Sequence, residues 1–234
     1  MSKVIAEITE IFSSIQGEGI FAGAKQIFVR FKACNLSCSF CDEPKDARGK
    51  AYTPASLADE IKLLTEKKGT HHSVSLTGGE PLCYADFLSS FLPLLRKAGI
   101  KSYLETNGTL PGELARVIGL IDIVAMDFKL PSSTGERAFW NEHLEFLKIA
   151  SKKMVFVKAV VTPETTAEDI RQAISLIKGL NKHIPFILQP ATPAKKSDKE
   201  VDNKTLLEFI DIGIDNDLEQ IRVIPQVHKM MGIK

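Results

Sequence analysis

The chain has 234 residues, 44% of them hydrophobic, with 30 basic and 29 acidic side chains and a net charge of +1. That suits one domain with a sizeable core, and the near-cancelling charge offers neither a basic field for nucleic acid nor an acidic tail. No apolar run is long enough for a membrane helix, and the opening Met-Ser-Lys-Val-Ile-Ala-Glu-Ile carries charge where a signal peptide needs its apolar stretch, so a cytoplasmic protein is expected.

In chain order, Ile5 to Ile11 reads as an entry strand and Gln26 to Phe31 as a second strand. Pro54 to Lys67 has helical spacing, with Leu57, Ile61 and Leu64 on one face and Thr53 placed to cap it. Strands follow at Ser73–Leu76, Tyr103–Glu105, Ile121–Met126, Met154–Val161, Pro185–Leu188 and Ile221–Ile224. Helices are predicted between them at Tyr84–Ala98, Gly112–Ile118, Arg137–Ala150, Ala167–Ile177 (Gly179 near its end) and Lys204–Asn216. Pro190 to Asn203 reads as a surface loop, too short to separate domains. Repeated strand–helix alternation with apolar strands implies parallel βα units. About six such units are fewer than a closed (β/α)8 barrel needs, so a partial, open βα barrel forming a single domain over residues 1–234 is expected. A doubly wound flat sheet is the alternative.

Three cysteines fall within eight residues, Cys34, Cys38 and Cys41, spaced C-x3-C-x2-C with no fourth nearby. A 4Fe–4S cluster normally takes one thiolate per iron, so three leave one iron open to another ligand. In radical S-adenosylmethionine (SAM) enzymes, whose signature this spacing resembles, the SAM amino and carboxylate groups fill that position and the reduced cluster generates a 5′-deoxyadenosyl radical. A closed zinc site would need a fourth ligand, from Cys83, His71 or His72. Clustered free thiols also fit a reducing cytoplasm.

The unusual polar residues recur just past the predicted strands, where parallel α/β sheets build their sites. Gly78, Gly79 and Glu80, in Thr-Gly-Gly-Glu-Pro, let backbone approach SAM, with carbonyls or Glu80 receiving its ammonium; the competing reading is a plain strand-to-helix turn. Glu105 and Asn107 can hold the SAM ribose, although Asn107-Gly108 is also a common turn pair. Asp127-Phe128-Lys129 is either part of the SAM site or a surface ion pair. Phe40 can stack on adenine or pack on the core. Lys158, Gln189-Pro190 and Pro225–His228 lie at the same rim.

The run Phe12-Ser-Ser-Ile-Gln-Gly-Glu-Gly19, then Phe28-Val-Arg-Phe31, the cysteine triplet followed by Asp42, Thr77-Gly-Gly-Glu-Pro81, Gln189-Pro190 and Pro225-Gln-Val-His-Lys229 together resemble the 7-carboxy-7-deazaguanine synthases. The resemblance spans essentially the whole chain. It implies conversion of 6-carboxy-5,6,7,8-tetrahydropterin to 7-carboxy-7-deazaguanine with loss of ammonia, in queuosine-type deazapurine synthesis. It also implies magnesium, a homodimer and a flavodoxin-like or other electron donor. It assigns Phe40, Asp42, Gly78–Glu80, Glu105, Asn107, Asp127–Lys129 and Gln189-Pro190 to SAM. It assigns Ile15, Gln16, Gly17, Glu18, Arg30, Thr77, His228 and the terminal Lys234 to substrate. A pterin edge suits Gln16 and Glu18, and a carboxylate suits the Arg30 guanidinium. Each of these has a structural competitor: a loop cap for Gln16 and Glu18, a strand-edge salt bridge for Arg30, a satisfied structural histidine for His228. Where the family carries a threonine that helps hold magnesium, this chain has Glu43, a harder and longer oxygen ligand. A glycyl-radical-enzyme activase with the same cysteines and Gly-Gly-Glu run is the alternative function.

Overall fold

The computed structural model describes residues 4–42, 47–193 and 199–233. Its centre is one nine-stranded sheet, ordered β3-β1-β2-β4-β5-β6-β7-β8-β9. β1 (Ala6–Ile15) pairs antiparallel with β2 (Lys25–Phe31), with a bulge between Ile8 and Glu10, and β3 (Lys50–Tyr52) pairs antiparallel with the start of β1. From β2 onward every pairing is parallel.

After β3 comes α1 (Pro54–Lys68), and then the units alternate. They are β4 (Ser73–Gly78) and α2 (Ala85–Lys97), β5 (Ser102–Thr106) and α3 (Pro111–Val117), then β6 (Ile123–Asp127) with the short α4 (Pro131–Thr134) and α5 (Trp140–Ala150). β7 (Met154–Val161) and α6 (Ala167–Leu180), β8 (Phe186–Pro190) and α7 (Asn203–Asp215), β9 (Ile221–Val223) and the one-turn α8 (Val227–Met230) complete the chain. The parallel strands β2, β4, β5, β6, β7 and β8 are each followed by a helix before the next parallel strand, and β3 and β9 do not pair with each other. The sheet is therefore a mostly parallel arc that does not close, as the alternation predicts.

Local chemistry explains the elements. Thr53 Oγ1 accepts from Ser56 N at 3.2 Å and Thr53 N donates to Ser56 Oγ at 3.0 Å. This capping box contributes about 1 kcal/mol to the start of α1. Within each parallel strand the side chains alternate between two faces. Val74, Leu76, Leu104, Val124, Met126, Val157, Ala159, Phe186 and Leu188 belong to the large core beneath the helices. The opposite, concave face has an apolar floor of Tyr103, Ile123, Ala125, Phe156 and Ile187, with Ile20 and Phe21 packed against it. Further along the same strands the concave face turns polar, at Ser75, Thr77, Glu105, Asp127, Lys158 and Gln189.

Four expectations need correction. β1 runs on to Ile15, four residues past the predicted end of the entry strand at Ile11. β3, α4 and α8 have no counterpart in the sequence reading, because three- and four-residue elements carry no readable period. The helix predicted from Arg137 begins at Trp140. The helix predicted to end at Ile177 runs on to Leu180; Gly179 does lie near its end, but inside it, and the stop at Asn181 is in extended backbone, which needs no left-handed residue. Glu43, Lys234 and part of the loop from Pro190 to Asn203 lie outside the described residues.

Candidate active site

The rim of the arc is assembled from three pieces of chain: the cysteine loop after β2, the strap joining β1 to β2, and the segment after β9. The cysteine loop is fastened from both sides. Gly79 N donates to Phe31 O and Glu80 N to Ala33 O, both at 2.7 Å. A β-carbon on Gly79 would stand 2.2 Å from Ala33 O, and one on Gly78 (φ +100°) 2.5 Å from Phe31 O. The two glycines thus let the β4 end lie against the cysteine loop. On the other side Ser39 N donates to Thr134 O and Ser39 Oγ to Ser133 O, both at 2.9 Å, and Ser37 N donates to Glu136 Oε1 at 2.6 Å. The short α4 and the residues just after it, invisible to periodicity, are what hold the segment around Cys38.

Cys34, Cys38 and Cys41 carry no disulfide. Burial pushes the Cys34 and Cys38 thiols up, and the neighbouring thiols add to this. Mutual repulsion of this kind is relieved when a cationic cluster takes the thiolates. Among the described residues no group of three His, Cys, Asp or Glu could hold a metal ion. A multi-iron cluster needs a wider triangle of thiols than one ion does, and the donor set of three thiols on one fastened loop fits it.

Several residues expected to face ligands are committed to the protein. Glu80 is fully buried and its carboxylate accepts from Leu82 N (3.0 Å), Asn107 N (2.7 Å) and Thr106 Oγ1 (2.9 Å). Burial outweighs those hydrogen bonds and raises its carboxyl to about 7. Asn107 gives its side-chain amide to Asn35 Oδ1 at 2.8 Å and accepts from Thr109. Phe128 is part of the core, stacked on His143 with centroids 4.7 Å apart. His143, unmarked in the sequence reading, is buried with its Nε2 3.2 Å from Asn107 O, and burial lowers it to about 4. Glu105 turns toward the strap: it accepts from Gln16 Nε2 (2.8 Å), Ser75 Oγ (2.8 Å) and Thr77 Oγ1 (3.0 Å). The second Gln16 N–H goes to Gln26 Oε1 at 2.9 Å, so Gln16 pins the strap to β2 and β5.

Glu18 projects from the strap to meet Lys158 on β7 in an ion pair, and accepts from Gln226 Nε2 at 2.8 Å. Burial disfavours its charge, but the Lys158 ammonium and the hydrogen bonds from Lys158 and Gln226 win and hold its carboxyl well below the usual range. Asp127 Oδ2 takes Lys129 Nζ at 2.9 Å and lies 3.6 Å from Lys158 Nζ. Lys129 Nζ also sits 5.4 Å above the Phe40 ring. Arg30 lies 3.3 Å from Glu10 and over the Phe12 ring at 5.5 Å, so the strand-edge ion pair is present. His228 packs on Gly17, and Lys229 Nζ reaches Asp42 Oδ2 at 2.7 Å. Ile15 ends β1 and Pro190 ends β8. Two buried acceptors at this rim have no protein partner, Asp127 Oδ1 and Gln189 Oε1. An unpaired buried acceptor costs about 1–3 kcal/mol, which a polar ligand such as SAM would recover. Lys158, Gln226 and His143 are the residues that the sequence reading left without a role; a lysine inside a β-branched strand was the available signal for the first.

A model described as Radical SAM superfamily matches residues 28–177. A Geobacter sulfurreducens protein named 7-carboxy-7-deazaguanine synthase is 40% identical, with 99% of each chain covered. The chain belongs to the 7-carboxy-7-deazaguanine synthase family of radical SAM enzymes. A Methanothermobacter thermautotrophicus synthase of the same name is 33% identical over 98% of each chain. The crystal structure of QueE from Escherichia coli has the same fold, with TM-score 0.65 and 23% identity, covering 96% of this chain and 95% of that one. These synthase relatives span the chain from end to end, and the activase alternative is not favoured. Among the described residues no helix is long and apolar enough to cross a membrane.

Proposed function

We propose that this chain, acting as one domain, converts 6-carboxy-5,6,7,8-tetrahydropterin into 7-carboxy-7-deazaguanine with loss of ammonia. The observation that carries this is the meeting of Glu18, Glu105, Thr77 and the His228 segment on one concave face beside the cysteine loop, in a chain 40% identical to a named synthase. Cys34, Cys38 and Cys41 would hold a 4Fe–4S cluster. SAM would lie between Phe40, Asp42, the Gly78-Gly79 edge, Asp127, Lys129 and Gln189-Pro190. When bound, cluster and SAM supply a carbon-centred radical able to take hydrogen from a C–H bond.

This chain's own residues do the rest. Glu18, held ionised, accepts from the amino and amide edge of the pterin. Arg30 exchanges Glu10 for the substrate carboxylate, gaining a bidentate contact. Thr77 and Glu105 line the wall between them. Gln16 keeps the strap fixed, so that Glu18 is preorganised. The apolar floor of Tyr103, Phe156 and Phe21 excludes water below the reacting ring. Magnesium held with the help of Glu43, substrate contact by Lys234, a homodimer, a flavodoxin-like donor and a cytoplasmic setting complete the reading.

The test is an anaerobic assay of the reconstituted protein with SAM, reductant, magnesium and the pterin, read by product mass. Formation of 7-carboxy-7-deazaguanine, lost in Cys38→Ala, supports the proposal. Release of 5′-deoxyadenosine without that product would remove the substrate assignment and keep the radical chemistry. Turnover indifferent to magnesium and chelator would remove Glu43 as a metal ligand.

A further inference from the structure

Two carboxylates and two ammonium groups alternate along the inside of the rim: Glu18, Lys158, Asp127, Lys129. Their side chains are only 17%, 11%, 8% and 14% exposed. Lys158 stands in the middle, on the concave face of β7, paired in register with Asp127 of β6. On the central strands β4 to β8 the other concave-face residues are acidic or neutral, the further cations of that face being Arg30 on β2 and Arg222 on β9, so the packing of β7 alone does not ask for Lys158: Phe156, two residues earlier, continues the apolar floor. Burying an ammonium is costly unless it is paired and hydrogen-bonded.

The two carboxylates depend on Lys158 unequally. Asp127 has a second and closer cation, Lys129 at 2.9 Å against 3.6 Å for Lys158. Glu18 has Lys158 as its ion-pair partner, and its other side-chain donor is the neutral Gln226 amide at 2.8 Å. Loss of the Lys158 charge therefore falls on Glu18, on the substrate side of the rim, while Asp127 keeps its own counterion on the SAM side.

We infer that Lys158 is a positioning residue for substrate: it fixes the direction and the charge of Glu18 so that the carboxylate presents its acceptor to the pterin edge. The inference rests on the proposed substrate. It assigns Lys158 no bond to SAM and no contact with the reacting carbon.

Lys158→Met and Lys158→Arg test this in reconstituted protein, by thermal unfolding, SAM binding in equilibrium dialysis, pterin binding without reductant, and steady-state kinetics. Lys158→Met is expected to weaken pterin binding and raise KM by about tenfold or more, with the SAM dissociation constant within about threefold of wild type. Lys158→Arg, which keeps a cation against Glu18, is expected to show a smaller rise. Unchanged pterin affinity in Lys158→Met overturns the inference. So does an equal loss of SAM and pterin affinity, which would make Lys158 part of the general framework through Asp127. If the methionine variant does not fold, Lys158→Gln, which also removes the cation, decides: weaker pterin binding with unchanged SAM binding supports the inference, and unchanged pterin binding overturns it. Wild-type turnover is the separate control. Its absence sinks the substrate reading itself, whereas wild-type turnover with a KM indifferent to Lys158 removes only this inference.

Discussion

A β-carbon placed on Gly17 would stand 1.9 Å from Nδ1 of His228. The strap and the segment after β9 are therefore in backbone-to-side-chain contact, and Val227 N donates to Gly17 O at 2.9 Å to fix their register. Gln226, next to it, reaches Glu18 across 208 positions of sequence.

Gly17→Ala should push His228 and α8 away from the strap without touching the large core. The expected outcome is a rise in pterin KM of about tenfold, roughly 1.4 kcal/mol of lost transition-state stabilisation, with little change in thermal midpoint. Steady-state kinetics beside a melting curve checks it. A wild-type KM would show that the segment relaxes freely around the methyl.

Gly79→Ala places its methyl 2.2 Å from a backbone oxygen of the cysteine loop rather than from a flexible side chain. Overpacking of this kind costs about 1–3 kcal/mol. The loop is expected to give way first, so iron and sulfide content after reconstitution should fall. Full loading of the variant would contradict this account of the glycine.

Glu80→Gln should destabilise the fold by about 1–3 kcal/mol at neutral pH, because one of the N–H groups of Leu82 and Asn107 then faces an amide donor and stays unpaired. Denaturant titration measures it. A neutral effect would mean that the carboxylate is already protonated and its hydrogen bonds replaceable.

Glu80 and His143 flank Asn107 and respond to acid in opposite senses. Glu80 has its folded value raised to about 7, so its contribution is present below about 4.5 and is lost as pH rises through 7. His143 has its folded value lowered from 6.5 to about 4, so its contribution is present above 6.5 and is lost as pH falls through 4. Between pH 7 and 4 the two largely cancel. His143→Gln should uncover the Glu80 slope, gaining stability relative to wild type as pH falls, on the order of 3 kcal/mol across the window. Glu80→Gln should uncover the opposite slope. Stability-against-pH curves that run parallel in all three proteins would refute both assignments.

The sequence carried the architecture where elements were long. Met154–Val161 is strand from its first residue to its last, and Thr53 caps α1 through a real capping box. It did not carry β3 or α4, whose three or four residues cannot display a period, although α4 holds the segment around Cys38. The rim was legible as a place, because glycines, carboxylates and amides cluster past the strand ends. The partners were not. Gln16, Glu80 and Glu105 are polar in any reading, but whether each faces a ligand or a neighbour is decided by contacts as far as 89 positions away. Lys158 and Gln226 acquire meaning only through Glu18.

The loop that carries Cys34 and Cys41 leaves both exposed, with Cys38 half-buried between them. The loop is fastened by hydrogen bonds within the protein, among them those of Ser37, Ser39 and Asn35, and these put the thiols in reach of solvent without a metal. Exposed thiols can be oxidised, and a sulfenic acid or a disulfide in this loop would remove a ligand, although burial, by raising the Cys34 and Cys38 thiols, slows the attack. Maturation of this protein becomes a race between metal delivery and oxidant, because the surface that receives the cluster is also one that oxidant reaches.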